Sequence, residues 1–271
     1  DGLKDWYQFR DFPHFVEVYT QASSAIRNAE DLELLVYEFG ESRADNNILY
    51  TEATYTANTL FKQSGIPADE QRDALRKGRE RVLKDFEVDL RWIIDIVRET
   101  SVEEGEWSLE FAHGAKDAGV VGFGLSGIEG ETPVARHRAT FEAAKRAGLP
   151  ITAHAGETKG AESIEEVLKD AFADRIGHGI RCLEKPFLVQ RLRDAGVPIE
   201  VNPTSNVCLK VVNEYGEHPL PELLNEGLNV SINSDDPAMF GADLSEEMFK
   251  ASEAFGFDAD ILYTLTMNAA R

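Results

Sequence analysis

The sequence predicts a parallel α/β fold, and within that class a (β/α)8 TIM barrel rather than an open doubly wound sheet. Three observations carry this. Short apolar runs alternate with longer amphipathic ones along the 271 residues, as strand–helix units do. Seven strand-like runs follow in one unbroken series, in a chain whose length suits a barrel. Polar residues collect at the C-terminal ends of the later runs, where a barrel gathers them around one mouth. An open sheet would spread them along an edge, with a site mainly at its switch point. Only seven strands are legible, so the first of eight is expected to lie outside the given sequence.

The elements follow in order. DLELLVYEFGESRA (31–44) has the spaced apolar residues of a helix. Three apolar runs come next: ILYTEATYT (48–56), VDLRWIIDIV (88–97) and GVVGFGL (119–125). ARHRATFEAAKRAG (135–148) is a clear amphipathic helix, and LPITAHA (149–155) is the fourth strand. IEEVLKDAF (164–172) is helical, and DRIGHG (174–179) is the fifth strand. The helix PFLVQRLRDAG (186–196) leads to VPIEVNP (197–203), and PLPELLNEG (219–227) leads to LNVSINSD (228–235). Three helices stop at a glycine just before the next strand, in RAGLPI, DAGVPI and NEGLNV, the pattern of a helix C-cap.

Composition narrows the function. The formal net charge of −21 repels phosphate backbones, which argues against nucleic-acid binding. No apolar stretch reaches the roughly 20 residues needed to span a bilayer. Two cysteines, Cys182 and Cys208, lie far apart and form no CxxC pattern. A reducing, cytoplasmic setting suits them better than a disulfide framework. The opening DGLKDW contains no signal peptide and does not read as a natural start.

The strand ends hold the chemistry. His154 and Glu157 close the fourth strand in ITAHAGETKG. His178 closes the fifth, Asn202 and Thr204 to Asn206 the sixth, and Asp235 and Asp236 the seventh. Any of the six histidines taken alone is more often a surface or packed residue than a ligand. His137 and His218, in helix and loop contexts, are read that way, while His14 and His113 stay open. The combination says more. His154, His178 and Asp235 would share one barrel rim, and imidazole with carboxylate suits a divalent metal such as zinc. Glu157 would point into the same mouth, where a carboxylic acid can donate a proton to a substrate nitrogen. The small Ala155 and Gly156 would let substrate approach the backbone.

HAGE (154–157), RIGHG (175–179), NPTSN (202–206) and SDDP (234–237) stand in the order of one known family. By these motifs the chain resembles the adenosine deaminase family of metal-dependent hydrolases, from about DFPHFVEVY to its end. The resemblance implies a single metal-dependent hydrolase barrel domain over 1–271, incomplete at both ends, with one zinc ion per chain. It implies hydrolysis of a 6-aminopurine nucleoside of the adenosine type to the 6-oxo product and ammonia. His154 would be a zinc ligand, and Asp235 a second that also contacts the attacking water. Glu157 would protonate purine N1, and His178 would activate or orient that water. Asp236 would bond purine N7 while protonated, and the Gly127 backbone would face purine N3.

Two departures stand out. The family's usual DLAG reads GLSG (124–127), with Gly124 in place of a common aspartate. The family's first strand carries an HxH pair of zinc ligands, and no HxH occurs here. A further N-terminal segment ending in HxH is therefore expected in the natural protein.

Other readings remain open. A related 6-aminopurine, adenine or 6-aminodeoxyfutalosine, would fit the same site. A catalytically silent barrel that binds a nucleoside or a protein partner would have no use for both an acid and a metal ligand. An amide or ester hydrolase would have little need of Glu157 beside His154. The expected partner is a small-molecule purine nucleoside, with no nucleic acid and no membrane. The oligomeric state is not legible.

Overall fold

The computed structural model describes residues 2–270. All seven expected strands are present, most of them a residue or more shorter than the apolar run that predicts them. They are β1 (Tyr50–Tyr55), β2 (Asp89–Val97), β3 (Val120–Ser126), β4 (Ile151–Ala155), β5 (Arg175–His178), β6 (Pro198–Val201) and β7 (Asn229–Ile232). They are hydrogen-bonded in chain order, and the β1–β2, β2–β3, β5–β6 and β6–β7 pairings are parallel. Helical segments stand between successive strands, the alternation of the (β/α)8 class. Among the described residues no helix is long and apolar enough to cross a membrane, and both cysteines are free thiols.

The chain divides into two compact units. One comprises residues 21–152 and 170–172. Its central strand β2 buries Leu90, Trp92, Ile93, Ile94 and Ile96. The adjacent Trp92, Ile93 and Ile94 alternate between opposite faces and all are buried, so both faces are covered, as a parallel sheet requires. The helix Ala29–Asp45 starts at an Asn28 cap that accepts from the Asp31 N–H. It lies against a 19-residue helix, Ala68–Phe86, that the apolar pattern did not predict. The two helices meet through glycines. A Cβ on Gly40 would come 2.3 Å from Val82, and one on Gly78 would come 2.6 Å from Val36.

The other unit comprises, among the described residues, 2–20, 153–169 and 173–270, and holds the end of β4 with β5 to β7. The helix Pro186–Ala195 has proline in its first turn and buries Leu188, Val189 and Leu192. The three expected glycine stops, Gly148, Gly196 and Gly227, all adopt left-handed backbone. The expected helix 164–172 differs in form. An α-helix at Ala161–Glu166 widens into a π turn at Val167–Ala171, and Phe172 ends it in left-handed backbone. An aromatic cluster of Phe9, Phe15 and Phe240, with Val18 and Leu209, ties the first twenty residues to the segments after β6 and β7.

Candidate active site

His154 is the fourth residue of β4, part-exposed between the fully buried Ala153 and Ala155. Its position follows from the strand: an apolar run buries the segment, and the first large polar residue sits at its open end. Gly156 then turns the chain with φ +69°. A Cβ there would lie 2.5 Å from Ile164 Cδ1. Glycine is thus required by the protein itself, a reason separate from the substrate approach its small size suggests. The turn delivers Glu157, only 4 % exposed.

His178 ends β5 and is likewise buried. Its Nδ1 is 3.6 Å from Glu157 Oε1, and its Nε2 is 3.8 Å from Asp235 Oδ2. The His154 and His178 rings are 5.4 Å apart at 48°. The structure therefore brings Glu157, His178, Asp235 and His154 together within one unit. Asp236, next in sequence, has its carboxyl pushed well above the usual carboxylate range. Burial is the main cause and the neighbouring Asp235 the second.

Gly127 lies just past β3 in the other unit, with φ +94°. A Cβ there would come 2.4 Å from the flexible end of Glu99 and 3.0 Å from the Arg98 backbone nitrogen, so the backbone conformation is the main reason for glycine. Gly124 is packed against Asp95, whose Oδ2 accepts from Ser126 Oγ at 2.5 Å. A carboxylate is thus present in this stretch of sheet, supplied by β2 rather than β3.

Several polar residues around His178 had no assigned role in the sequence. Asn202 Nδ2 and Asn206 Nδ2 each lie 3.2 Å from His178 Nδ1. His218 Nε2 is 3.1 Å from Asn206 Oδ1. The fully buried Glu247 accepts from the Thr204 N–H at 3.3 Å and from the Tyr215 hydroxyl at 3.0 Å. It so braces the NPTSN segment at Thr204. NPTSN itself was the available signal for the asparagines; nothing local marks His218 or Glu247. The other histidines have their own surroundings. His14 accepts the Arg10 N–H, His113 is exposed, and His137 is packed beside Gly105.

The imidazole of His154 and the carboxylate of Asp235 are zinc donors by chemistry, but they number two. A catalytic zinc usually takes three protein ligands. Among the described residues no three histidine, cysteine or acidic side chains are grouped as a metal site. Two such donors are fewer than a catalytic zinc usually takes.

Comparison with known proteins fits this geometry. The family model for adenosine deaminase matches residues 1–271. An aminodeoxyfutalosine deaminase of Streptomyces coelicolor is 37 % identical over 270 residues, covering 99 % of this chain and 70 % of the relative. An adenine deaminase of Chelativorans sp. is 37 % identical over 263 residues, covering 97 % and 81 %. The crystal structure of an adenine deaminase from Arthrobacter aurescens superposes with a TM-score of 0.92 at 30 % identity, over 98 % of this chain and 81 % of that one. A Burkholderia ambifaria amidohydrolase with bound zinc gives 0.87 at 25 %, over 93 % and 71 %. The shared fold, the ordered motifs and the family match give one conclusion: the chain belongs to the adenosine deaminase family, hydrolases that act on the C–N bond of cyclic amidines.

Proposed function

We propose that this deaminase of adenine-type substrates acts on 6-aminodeoxyfutalosine or free adenine rather than on adenosine. The observation that carries the site assignment is the grouping of Glu157, His178 and Asp235, linked by separations of 3.6 and 3.8 Å. The substrate choice rests on the relatives, which are aminodeoxyfutalosine and adenine deaminases at equal identity. This displaces the adenosine preference as the leading reading.

In the proposed chemistry a water oxygen adds to C6, the C6–N bond breaks and ammonia leaves; of the water's two protons one passes to the departing amine and the other restores the proton that Glu157 gives to the ring. Glu157 donates a proton to ring N1, which draws electron density from C6. Its burial beside His178 keeps bulk water from competing for that proton. His178 orients the attacking water. Asp236, held protonated, donates to N7. His154 and Asp235 are proposed zinc ligands. When bound, zinc supplies Lewis acidity and lowers the pKa of a water towards about 7.

A substrate panel tests this. Adenosine, deoxyadenosine, adenine and 6-aminodeoxyfutalosine are compared by ammonia release. The expected result is kcat/KM at least tenfold higher for adenine or 6-aminodeoxyfutalosine than for adenosine. Adenosine as the preferred substrate would reject the assignment.

A further inference from the structure

His218 lies outside every motif of the active site, yet it is 2 % exposed and hydrogen-bonded at both ring nitrogens. Its Nδ1 accepts the Leu220 backbone N–H at 3.1 Å. A backbone amide can only donate, so Nδ1 carries the lone pair and the ring proton sits on Nε2. Burial, followed by the nearby His178, pushes the imidazole down to about 3, which keeps it neutral at working pH.

The direction of the next bond follows. Nε2–H donates to Asn206 Oδ1 at 3.1 Å. Turning the Asn206 amide over would present an N–H to His218 Nε2, so the ring would have to accept at both nitrogens. A neutral imidazole has one donor and one acceptor and cannot do that. Asn206 Nδ2 therefore faces His178 and donates to its Nδ1 at 3.2 Å. Asn202 Nδ2 approaches the same nitrogen at 3.2 Å. The His178 proton is left on Nε2, which faces Asp235 Oδ2 at 3.8 Å.

We infer that His218 is a positioning residue, which acts through Asn206 to fix His178 as the tautomer protonated on Nε2. His178 then presents a hydrogen-bond donor to the reacting centre. It orients and stabilises an oxygen there and does not remove a proton from it. This sharpens the role proposed for His178 and rests on that reading of the site.

The test uses zinc-reconstituted protein labelled with ¹⁵N-histidine. Long-range proton–nitrogen spectra report which ring nitrogen carries hydrogen, with or without turnover. The wild type is expected to show Nε2–H at both His218 and His178. His178 protonated on Nδ1 in the wild type would overturn the inference, whatever any variant does. His218→Leu removes the donor, so the Asn206 amide is free to turn. The expected results are partial loss of the His178 Nε2–H form and a kcat loss on the order of tenfold, the worth of one hydrogen bond. KM and bound zinc should hold. His218→Gln restores an N–H donor and should recover most of kcat. An unchanged His178 tautomer in a folded His218→Leu variant would refute the relay. A wild type that deaminates no adenine-type substrate would defeat the functional reading instead, and the nitrogen spectra would still decide the relay.

Discussion

Gly156→Ala is the sharpest probe of how the fold shapes this site. Two costs can be worked from the structure. At φ +69° an L-residue is in the left-handed region, which costs alanine roughly 1–2 kcal/mol. The new Cβ would also lie 2.5 Å from Ile164 Cδ1 and 2.7 Å from Cγ1. That is about 1 Å inside the ~3.5–4.0 Å optimum for two carbons. Ile164 is fully buried and has little room to move, so overpacking adds about 1–3 kcal/mol. A total near 3 kcal/mol lowers Tm by roughly 6–12 °C for a chain of this size. The assay is a double-mutant cycle with Ile164→Ala, read by urea and thermal unfolding. Ile164→Ala alone costs about 2–5 kcal/mol through the cavity it leaves. In that background Gly156→Ala should cost only its backbone share, about 1–2 kcal/mol. Strictly additive costs would refute the steric argument, and a Gly156→Ala variant as stable as wild type would refute both.

Glu157→Gln keeps shape but has no acidic proton, so turnover should fall on the order of 10²–10⁴-fold with the fold intact, followed by ammonia release. Activity within a few-fold of wild type would remove Glu157 from the chemistry. Asp235→Ala should lose bound zinc in elemental analysis, while Asp236→Ala keeps it and raises KM; equal zinc loss in both would end that division of roles. Burial raises the Glu247 carboxyl above its unfolded value of about 4.3. The folded state then binds more protons between the two values, and Glu247's contribution to stability falls as pH rises through that window. Glu247→Gln should therefore gain stability relative to wild type between pH 4 and pH 8. Parallel urea midpoints across that range would contradict the assigned shift.

The strands were legible because each is an apolar run closed by a polar residue or a turn, and the site residues stand at those closures. The helix Ala68–Phe86 was not legible, for a physical reason. Its buried positions, Gln71, Ala74, Leu75, Gly78 and Val82, have helical spacing. Only two of them are large and apolar, and ADEQRDALRKGRERVLKDF otherwise reads as charge. Glycine and alanine are buried there because the partner helix comes close, which composition does not reveal. His218 reads in the sequence as an ordinary loop histidine because its partner, Asn206, is 12 residues away. Glu247 is 43 residues from Thr204. Only the folded chain brings such groups into one network.

The backbone of the site itself carries an argument about function. Six non-glycine residues among those described have positive φ. Glu87 and Lys210 lie at the C-terminal ends of helices, as does Asn47, and Phe172 ends the π turn. Left-handed residues are the ordinary way such turns stop. His178 and Asp235 differ: one ends β5 and the other lies three residues past β7, with φ 63° and 56°. Strand ends need no left-handed residue, and each such conformation costs of order 1–3 kcal/mol. His178 is held there by Asn202 and Asn206 on its ring, and by the Gly179 N–H, which donates to Ala155 O at 3.0 Å. Past β7, the Asn233 N–H donates to Val201 O at 2.9 Å and ties the approach to Asp235 to β6. The two strained residues are the pair whose side chains face each other at 3.8 Å. Relaxing either one to an ordinary strand conformation would re-aim its side chain and break that pairing, so the strain is located where the proposed chemistry needs two groups to converge.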